Sequence, residues 1–157
     1  MIIVLLPAFN EEESLPGLMP KLQETLASMN EEYRIVVCND GSSDNTKAML
    51  DFYAKELPIE VVQHKINRGL GESSRDLFER ASEIANAGDV IVRLDCDDTH
   101  EPKYIPAIVE KVRSGYDVVI ASRFEPGGGQ MGVTGYRAFI SRCANLFMKL
   151  FFPIANL

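Results

Sequence analysis

Histidine and cysteine are scarce in this 157-residue chain, and their spacing excludes whole classes of chemistry. The two histidines, His64 and His100, form no His-x-x-x-His pair, so a zinc centre is not expected. Both read as bland surface or loop residues. Cys38, Cys96 and Cys143 stand far apart with no Cys-x-x-Cys pair. They read as reduced thiols in a cytoplasmic setting, not as a disulfide framework. The stretch Asn67-Arg68-Gly69-Leu70-Gly71 lacks the full Gly-x-Gly-x-x-Gly fingerprint, and there is no Walker lysine. This argues against a nicotinamide-dependent enzyme and against a P-loop kinase. The apolar start, Met1–Leu6, is too short for a membrane span and lacks a basic flank, so it reads as a first strand. A surplus of positive charge is also missing: the net charge is -7. Such a domain repels a phosphate backbone, and no nucleic-acid partner is expected. An anionic ligand must then be held by a few arginines, by backbone amides or by a metal.

What is present is an ordinary globular composition, 46% hydrophobic and 25% charged, in the length of one domain. Apolar β-like runs at Ile2–Leu6, Arg34–Cys38, Ile59–Gln63, Val90–Leu94 and Val118–Ser122 alternate with amphipathic stretches. Leu15, Leu18, Met19, Leu22, Leu26 and Met29 share one face of a first helix. Asp44 suits the N-cap of a second helix, with Met49, Phe52 and Tyr53 turned inward. Leu77, Ala81, Ile84 and Ala85 mark a third. Ile105, Ile108, Val109 and Val112 mark a fourth, entered after Pro102 and closed by Gly115. The βαβαβαβαβ order predicts an α/β fold: a mostly parallel sheet with helices on both faces. The continuous apolar runs fit strands covered on both sides. After a loop at Glu125–Gln130, a fifth helix is expected from about Tyr136 to Leu150. Its very apolar end, through Ile154, suits contact with a membrane surface or a partner.

In open α/β sheets, ligands bind at the carboxyl ends of the strands. Five predicted strand ends carry polar or turn-forming residues: Pro7–Glu11, Asn39–Asp44, Asn67–Gly71, Asp95–His100 and Ser122-Arg123. Three carboxylates, Asp95, Asp97 and Asp98, crowd into four residues. Like charges this close call for a cation, and carboxylates with substrate phosphates suit Mg²⁺ or Mn²⁺. The plainer reading is an acidic helix start stabilised by the helix dipole, and the cluster alone leaves both open. Asp40 could accept hydrogen bonds from a nucleobase, or Asp40–Asp44 could be only a turn and a cap. Asn67–Gly71 could cradle an anion, or be a strand-to-helix turn. Arg123, and Arg137 with Ser141 at i,i+4 spacing, could grip phosphate, or be solvated residues. Cys96 reads as a small packing residue.

Taken in order, several stretches resemble the inverting family 2 glycosyltransferases of the GT-A fold, and among them the polyprenol- or dolichol-phosphate mannose or glucose synthases. They are Leu6–Glu11 with Leu15, Asn39–Thr46, Asn67–Gly71 with Arg75, Asp95-Cys96-Asp97 with His100 and Pro102, Asp117–Arg123, and Gly127-Gly128-Gly129 with Arg137 and Ser141. The resemblance implies that Pro7, Phe9 and Glu11 line a nucleotide pocket with Cys38 and Asp40 at the base. It implies that Asp95 and Asp97 hold the metal and diphosphate, with the Cys96 backbone beside the ribose. Arg123 would face the sugar-phosphate, and Arg137 and Ser141 the acceptor phosphate. Asn39 stands where the family usually has an aspartate, and Thr99 where it has Gln or Ser. Family catalytic domains continue well past Leu157. Residues 1–157 are therefore expected to form a single GT-A domain, truncated at its C-terminal end.

The implied reaction moves mannose or glucose from a GDP- or UDP-hexose to a polyprenyl phosphate, with inversion. Asp97 and Arg123 are the expected catalytic residues, and Mg²⁺ or Mn²⁺ is the expected cofactor. A phosphate monoester has a second pKa near about 6, so a lipid phosphate acceptor needs no dedicated base at neutral pH. A saccharide hydroxyl acceptor, which needs one, is the alternative, as is a nucleotide-sugar-binding fragment without turnover. The expected location is cytoplasmic, with peripheral contact at the cytoplasmic face of the membrane.

Overall fold

Four apolar runs become the strands of one sheet: β1 (Ile2–Ala8), β2 (Tyr33–Asp40), β3 (Ile59–His64) and β4 (Val90–Arg93). The computed structural model describes residues 1–97, 100–122 and 135–151. The order is β3-β2-β1-β4, and every pairing is parallel. Helices α1 (Leu15–Ser28), α2 (Thr46–Tyr53), α3 (Leu70–Ile84) and α4 (Ile105–Arg113) connect and cover the strands, and a 3-10 turn at Pro102–Tyr104 leads into α4.

Side-chain alternation along β1 divides the core in two. Ile2, Val4, Leu6 and Ala8 join Ile35, Val37, Val90 and Val92 against Leu15, Leu18, Met19, Leu22 and Leu26 of α1, Leu50 of α2, and Ile105 and Val109 of α4. Ile3, Leu5, Val36 and Cys38 face the other way, against Leu77 and Ala81 of α3. The expected helical stripes of α1, α3 and α4 are the ones buried. Burial on both faces holds for β1 and most of β2, but not for β4, where Val90 and Val92 are buried while Ile91 and Arg93 face solvent. It is an edge strand among the described residues.

Two sequence readings are corrected. In α2, Leu50 is the buried residue, Met49 and Tyr53 pack at its flanks, and Phe52 points outward at 57% exposure. A helix of eight residues admits two phasings of its apolar residues, and packing on the sheet selects the one with Leu50 inward. Asn45, not Asp44, holds the cap position, although the Asp44 carboxylate still accepts the Thr46 N–H at 3.0 Å. The second correction concerns Val118–Ser122, which forms no strand. Val118 and Ile120 are 75% and 82% exposed, and no described strand offers them a ladder. An apolar run without a hydrogen-bonding partner stays irregular.

The chain divides into two compact units, Met1–Val119 and the part from Ile120 onward. The sheet and its four helices lie in the first. The second contains α5 (Gly135–Phe151), which matches the expected last helix. No helix among the described residues is long and apolar enough to cross a membrane.

Candidate functional site

The carboxyl ends of β1, β2, β3 and β4 meet at one cleft of about 380 Å³ in the first unit. Its wall takes Pro7, Ala8, Phe9 and Glu11 from β1, Asp40 from β2, Asn67, Gly69, Leu70 and Ser73 around the start of α3, and Asp95, Cys96 and Asp97 after β4. Four of the five predicted strand ends are thus one site.

The β2 side of the cleft is built by cross-stitched loops. The Asn10 N–H donates to Ser42 Oγ at 3.0 Å, the Glu11 N–H to Thr46 Oγ1 at 2.8 Å, and the Ser43 N–H to Asn10 Oδ1 at 2.9 Å. Glu12 accepts both the backbone and side-chain N–H of Asn45 at 2.8 Å. Asn39, fully buried, donates to Gln63 Oε1 at 3.0 Å and accepts the Ser42 N–H at 3.2 Å. An ionised aspartate there could accept but not donate, which explains why an asparagine suits this position. Gly41 has φ +68°, and a Cβ on it would lie 2.4 Å from the backbone carbon of Ile66. Only glycine lets the β2 loop lie against the β3 loop.

That close approach delivers two amides to Asp40. Its Oδ1 accepts the Arg68 N–H at 2.9 Å and its Oδ2 the Gly69 N–H at 2.8 Å. His64 lies opposite Asp40 in the parallel register and approaches Oδ1 at 2.6 Å through Nδ1. Burial is the largest single influence on Asp40 and pushes its carboxyl up. The Arg68 amide, His64 and the Gly69 amide together outweigh it, and the carboxyl lies below its ordinary value.

The β4 side differs. Asp95 is paired with Arg93 at 2.7 Å, and its own N–H donates to His100 Nδ1 at 3.2 Å. Glu11 faces this cluster across the cleft. Burial pushes the Glu11 carboxyl up, a Ser14 hydrogen bond opposes, and the charges of Asp97, Asp44 and Asp95 raise it further. Cys96 is buried, and desolvation first, then the charges of Glu11, Asp97 and Asp95, push its thiol up to about 12. It is an inert packing thiol at neutral pH. No cluster of three or more His, Cys, Asp or Glu side chains converges as a metal cage among the described residues. What Asp95 and Asp97 could hold is a hard cation shared with phosphate oxygens of a ligand, the usual arrangement for Mg²⁺.

A sequence model described as Glycosyl transferase family 2 matches residues 3–152. The chain belongs to this family. It is 32% identical over 152 residues to a dolichol-phosphate mannosyltransferase from Pyrococcus furiosus, covering 97% of this chain and 41% of that protein. It is 35% identical over 120 residues to an undecaprenyl-phosphate 4-deoxy-4-formamido-L-arabinose transferase from Proteus mirabilis, covering 75% of this chain and 35% of that one. The chain thus spans less than half the length of these relatives. Among solved structures, TarS residues 1–349 from S. aureus in complex with UDP-GlcNAc is similar at TM-score 0.55 and 20% identity, over 79% of this chain and 38% of that one. The fold is that of the GT-A glycosyltransferases.

Within this family 2 frame, the structure gathers Pro7, Phe9, Glu11, Asp40, Asp95, Cys96 and Asp97 in one cleft. Cys38 is not in the cleft wall. It is buried on the α3 face, with Sγ 3.5 Å from His64 Nε2. Arg123, Asp98, Thr99 and the Glu125–Gln130 loop lie outside the described residues, as does the apolar end beyond Phe151. Arg137 and Ser141 lie on α5 of the second unit, and the Arg137 side chain is outside the described part. Sequence reasoning missed His64, read as bland and found 6% exposed between two carboxylates, Asp40 and Asp76. The available signal was alternation: His64 shares a strand face with Val62, which packs on the α3 side.

Proposed function

We propose that this chain carries the donor site of a transferase that moves a hexose, mannose or glucose, from a nucleoside diphosphate sugar to a polyprenyl phosphate. The carrying observation is one cleft with two unlike ends: a buried, amide-bound Asp40 and, across from it, the acidic Asp95–Asp97 segment. Asp40 receives an N–H of the base. Pro7 and Phe9 wall the ring, and the diphosphate lies toward Asp95 and Asp97. The names of the Pyrococcus and Proteus relatives, both lipid-phosphate sugar transferases, support a lipid phosphate acceptor.

When bound, Mg²⁺ or Mn²⁺ supplies positive charge against the leaving diphosphate. The residues of the chain do the rest. Asp95 and Asp97 orient the diphosphate end, and Glu11 lines the same cleft opposite them. Arg123 pairs with the sugar-phosphate, while Arg137 and Ser141 receive the acceptor phosphate. Attack comes from the face opposite the diphosphate, with inversion. Because the acceptor arrives already ionised, no side chain has to take its proton. The reading places the chain at the cytoplasmic membrane face, where a lipid phosphate is reached.

The test is transfer of radiolabelled mannose or glucose from GDP- or UDP-sugar to short-chain polyprenyl phosphate, run beside oligosaccharide acceptors. The reading expects label in the lipid phosphate product only. Label in the oligosaccharide alone would assign a hydroxyl acceptor, and tight nucleotide binding with no turnover would leave a donor-binding module.

A further inference from the structure

His64 is the one buried histidine among the described residues, and the transfer chemistry does not use it. Its Nδ1 lies 2.6 Å from Asp40 Oδ1, and its Nε2 lies 2.9 Å from Asp76 Oδ2. The charged and titratable groups around it come from three elements. Asp40 and Cys38 face it from β2, Asp76 from α3, and Arg68 from the loop reaches the same Asp76 oxygen at 2.9 Å. Arg75 also touches Asp76, at 3.4 Å. Asp76 is held below the ordinary carboxyl value, first by its bond with His64 and then by the arginine charges. Asp40 is lowered as well, against the opposing effect of burial. Two ionised carboxylates only accept hydrogen bonds, so both contacts are made together only by an imidazole with a proton on each nitrogen.

The consequence appears in the remaining valence of Asp40. An ionised carboxylate has about four lone-pair sites. Oδ1 already takes the Arg68 N–H and His64, and Oδ2 takes the Gly69 N–H. One site is left, on Oδ2. Uracil presents one N–H, at N3, flanked by carbonyls. Guanine presents two neighbouring donors, N1–H and the 2-amino group, which a carboxylate matches by offering an open site on each oxygen.

We propose that His64 is a specificity-determining positioning residue: an imidazolium clamped between Asp40 and Asp76 that leaves Asp40 one open acceptor site and so selects a uracil over a guanine nucleotide. This rests on the reading of the cleft as a donor site with the base on Asp40. It assigns a role to a residue that never touches the ligand.

The first arm of the test needs no nucleotide. In protein labelled with ¹⁵N-histidine at pH 7.5, two-bond ¹H–¹⁵N spectra should give His64 the imidazolium pattern, and a neutral-tautomer pattern overturns the clamp. Asp76→Asn should convert that signal to a neutral tautomer. The second arm is calorimetry with UDP and GDP in Mn²⁺. The intact chain should bind UDP at least ~10-fold tighter, about 1.4 kcal/mol. His64→Leu keeps volume but removes both donors, and should narrow the ratio below ~3-fold. His64→Gln, which retains one donor for Asp40, should keep most of it. An unchanged ratio in the leucine variant makes His64 a packing residue and overturns the proposal. If that variant does not fold, the Asp76→Asn spectrum and the intact chain's ratio decide. GDP binding as tightly as UDP overturns the base preference alone, whereas binding of neither overturns the donor-site reading and the preference with it.

Discussion

The two ends of the cleft are made on opposite principles. At the β2 end, Asp40, Asn39 and His64 are buried, and each of their polar groups in that network has a protein partner before any ligand arrives. At the β4 end, acidic groups of like sign crowd an open wall, and the Glu11 carboxyl opposite is pushed up first by burial and then by their charge. A base is flat, neutral and the same in every turnover, so a rigid, preorganised seat suits it. A diphosphate arrives with its own charge and departs altered, so an end completed by a cation suits that part. Buried, partnered polar groups thus mark one end of the cleft, and clustered carboxylates mark the other.

This contrast can be broken from either side. Asp97→Ala should have the largest effect, removing the Mn²⁺-dependent gain in nucleoside diphosphate affinity, ~100-fold or about 3 kcal/mol, while uridine binding stays unchanged. Equal loss for nucleoside and nucleotide would mean the two ends are not separate. Asp40→Ala should act on both ligands alike, weakening them by ~10–100-fold, about 1.5–3 kcal/mol for a charged hydrogen bond. Gly41→Ala strikes the rigid end through the backbone. Its Cβ meets Ile66 and Asn67 backbone atoms at positive φ. A loss of about 2 kcal/mol, roughly 4–8 °C in Tm, is expected by calorimetric melting. Lys47→Ala, at an exposed i,i+4 pair with Asp51 on α2, should change stability by less than about 0.5 kcal/mol. A Tm drop comparable to that of the glycine variant would contradict the view that order here comes from buried networks.

Much of the β2 end was readable, and the reason is periodicity. Long apolar runs with turn residues behind them fix β1, β2 and their loops, and the ligand rim follows from strand ends. Where it failed, local pattern had to be settled by a partner. Phe52 and Leu50 compete for one small helix face, and the sheet decides between them. Val118 and Ile120 look like a strand but find no ladder among the described residues. His64 carries no mark of its neighbours in sequence, since Asp40 lies 24 residues away and Asp76 lies 12 away. A buried polar network is a property of register, and no single segment announces it. The acidic Asp95–Asp97 segment was ambiguous as a cluster alone, and its place at a strand end marked it as a candidate site; in the structure it shares one cleft with Glu11 and Asp40.

The carboxyls divide the cleft in the same way under acid. Asp40, Asp44 and Asp76 all lie at the rigid end and all are depressed from 3.8. For Asp40 and Asp44 burial opposes, but hydrogen bonds from amides and side chains outweigh it; for Asp76 the His64 bond leads. Each folded-state value lies below the unfolded one, so the unfolded chain takes up protons first. Their stabilisation is complete above about pH 5 and is lost as pH falls through 3.8 toward the folded-state values. Urea melts from pH 6 to pH 3 should show stability falling only below about pH 5.

Titrating uridine and UDP into the chain, each with and without Mn²⁺, tests the account most directly. The account predicts that uridine binds with the same affinity in both conditions, and that UDP gains at least ~10-fold from the cation. A UDP affinity indifferent to Mn²⁺, or a uridine affinity that depends on it, would contradict the division of the cleft into a finished base seat and a cation-completed phosphate end.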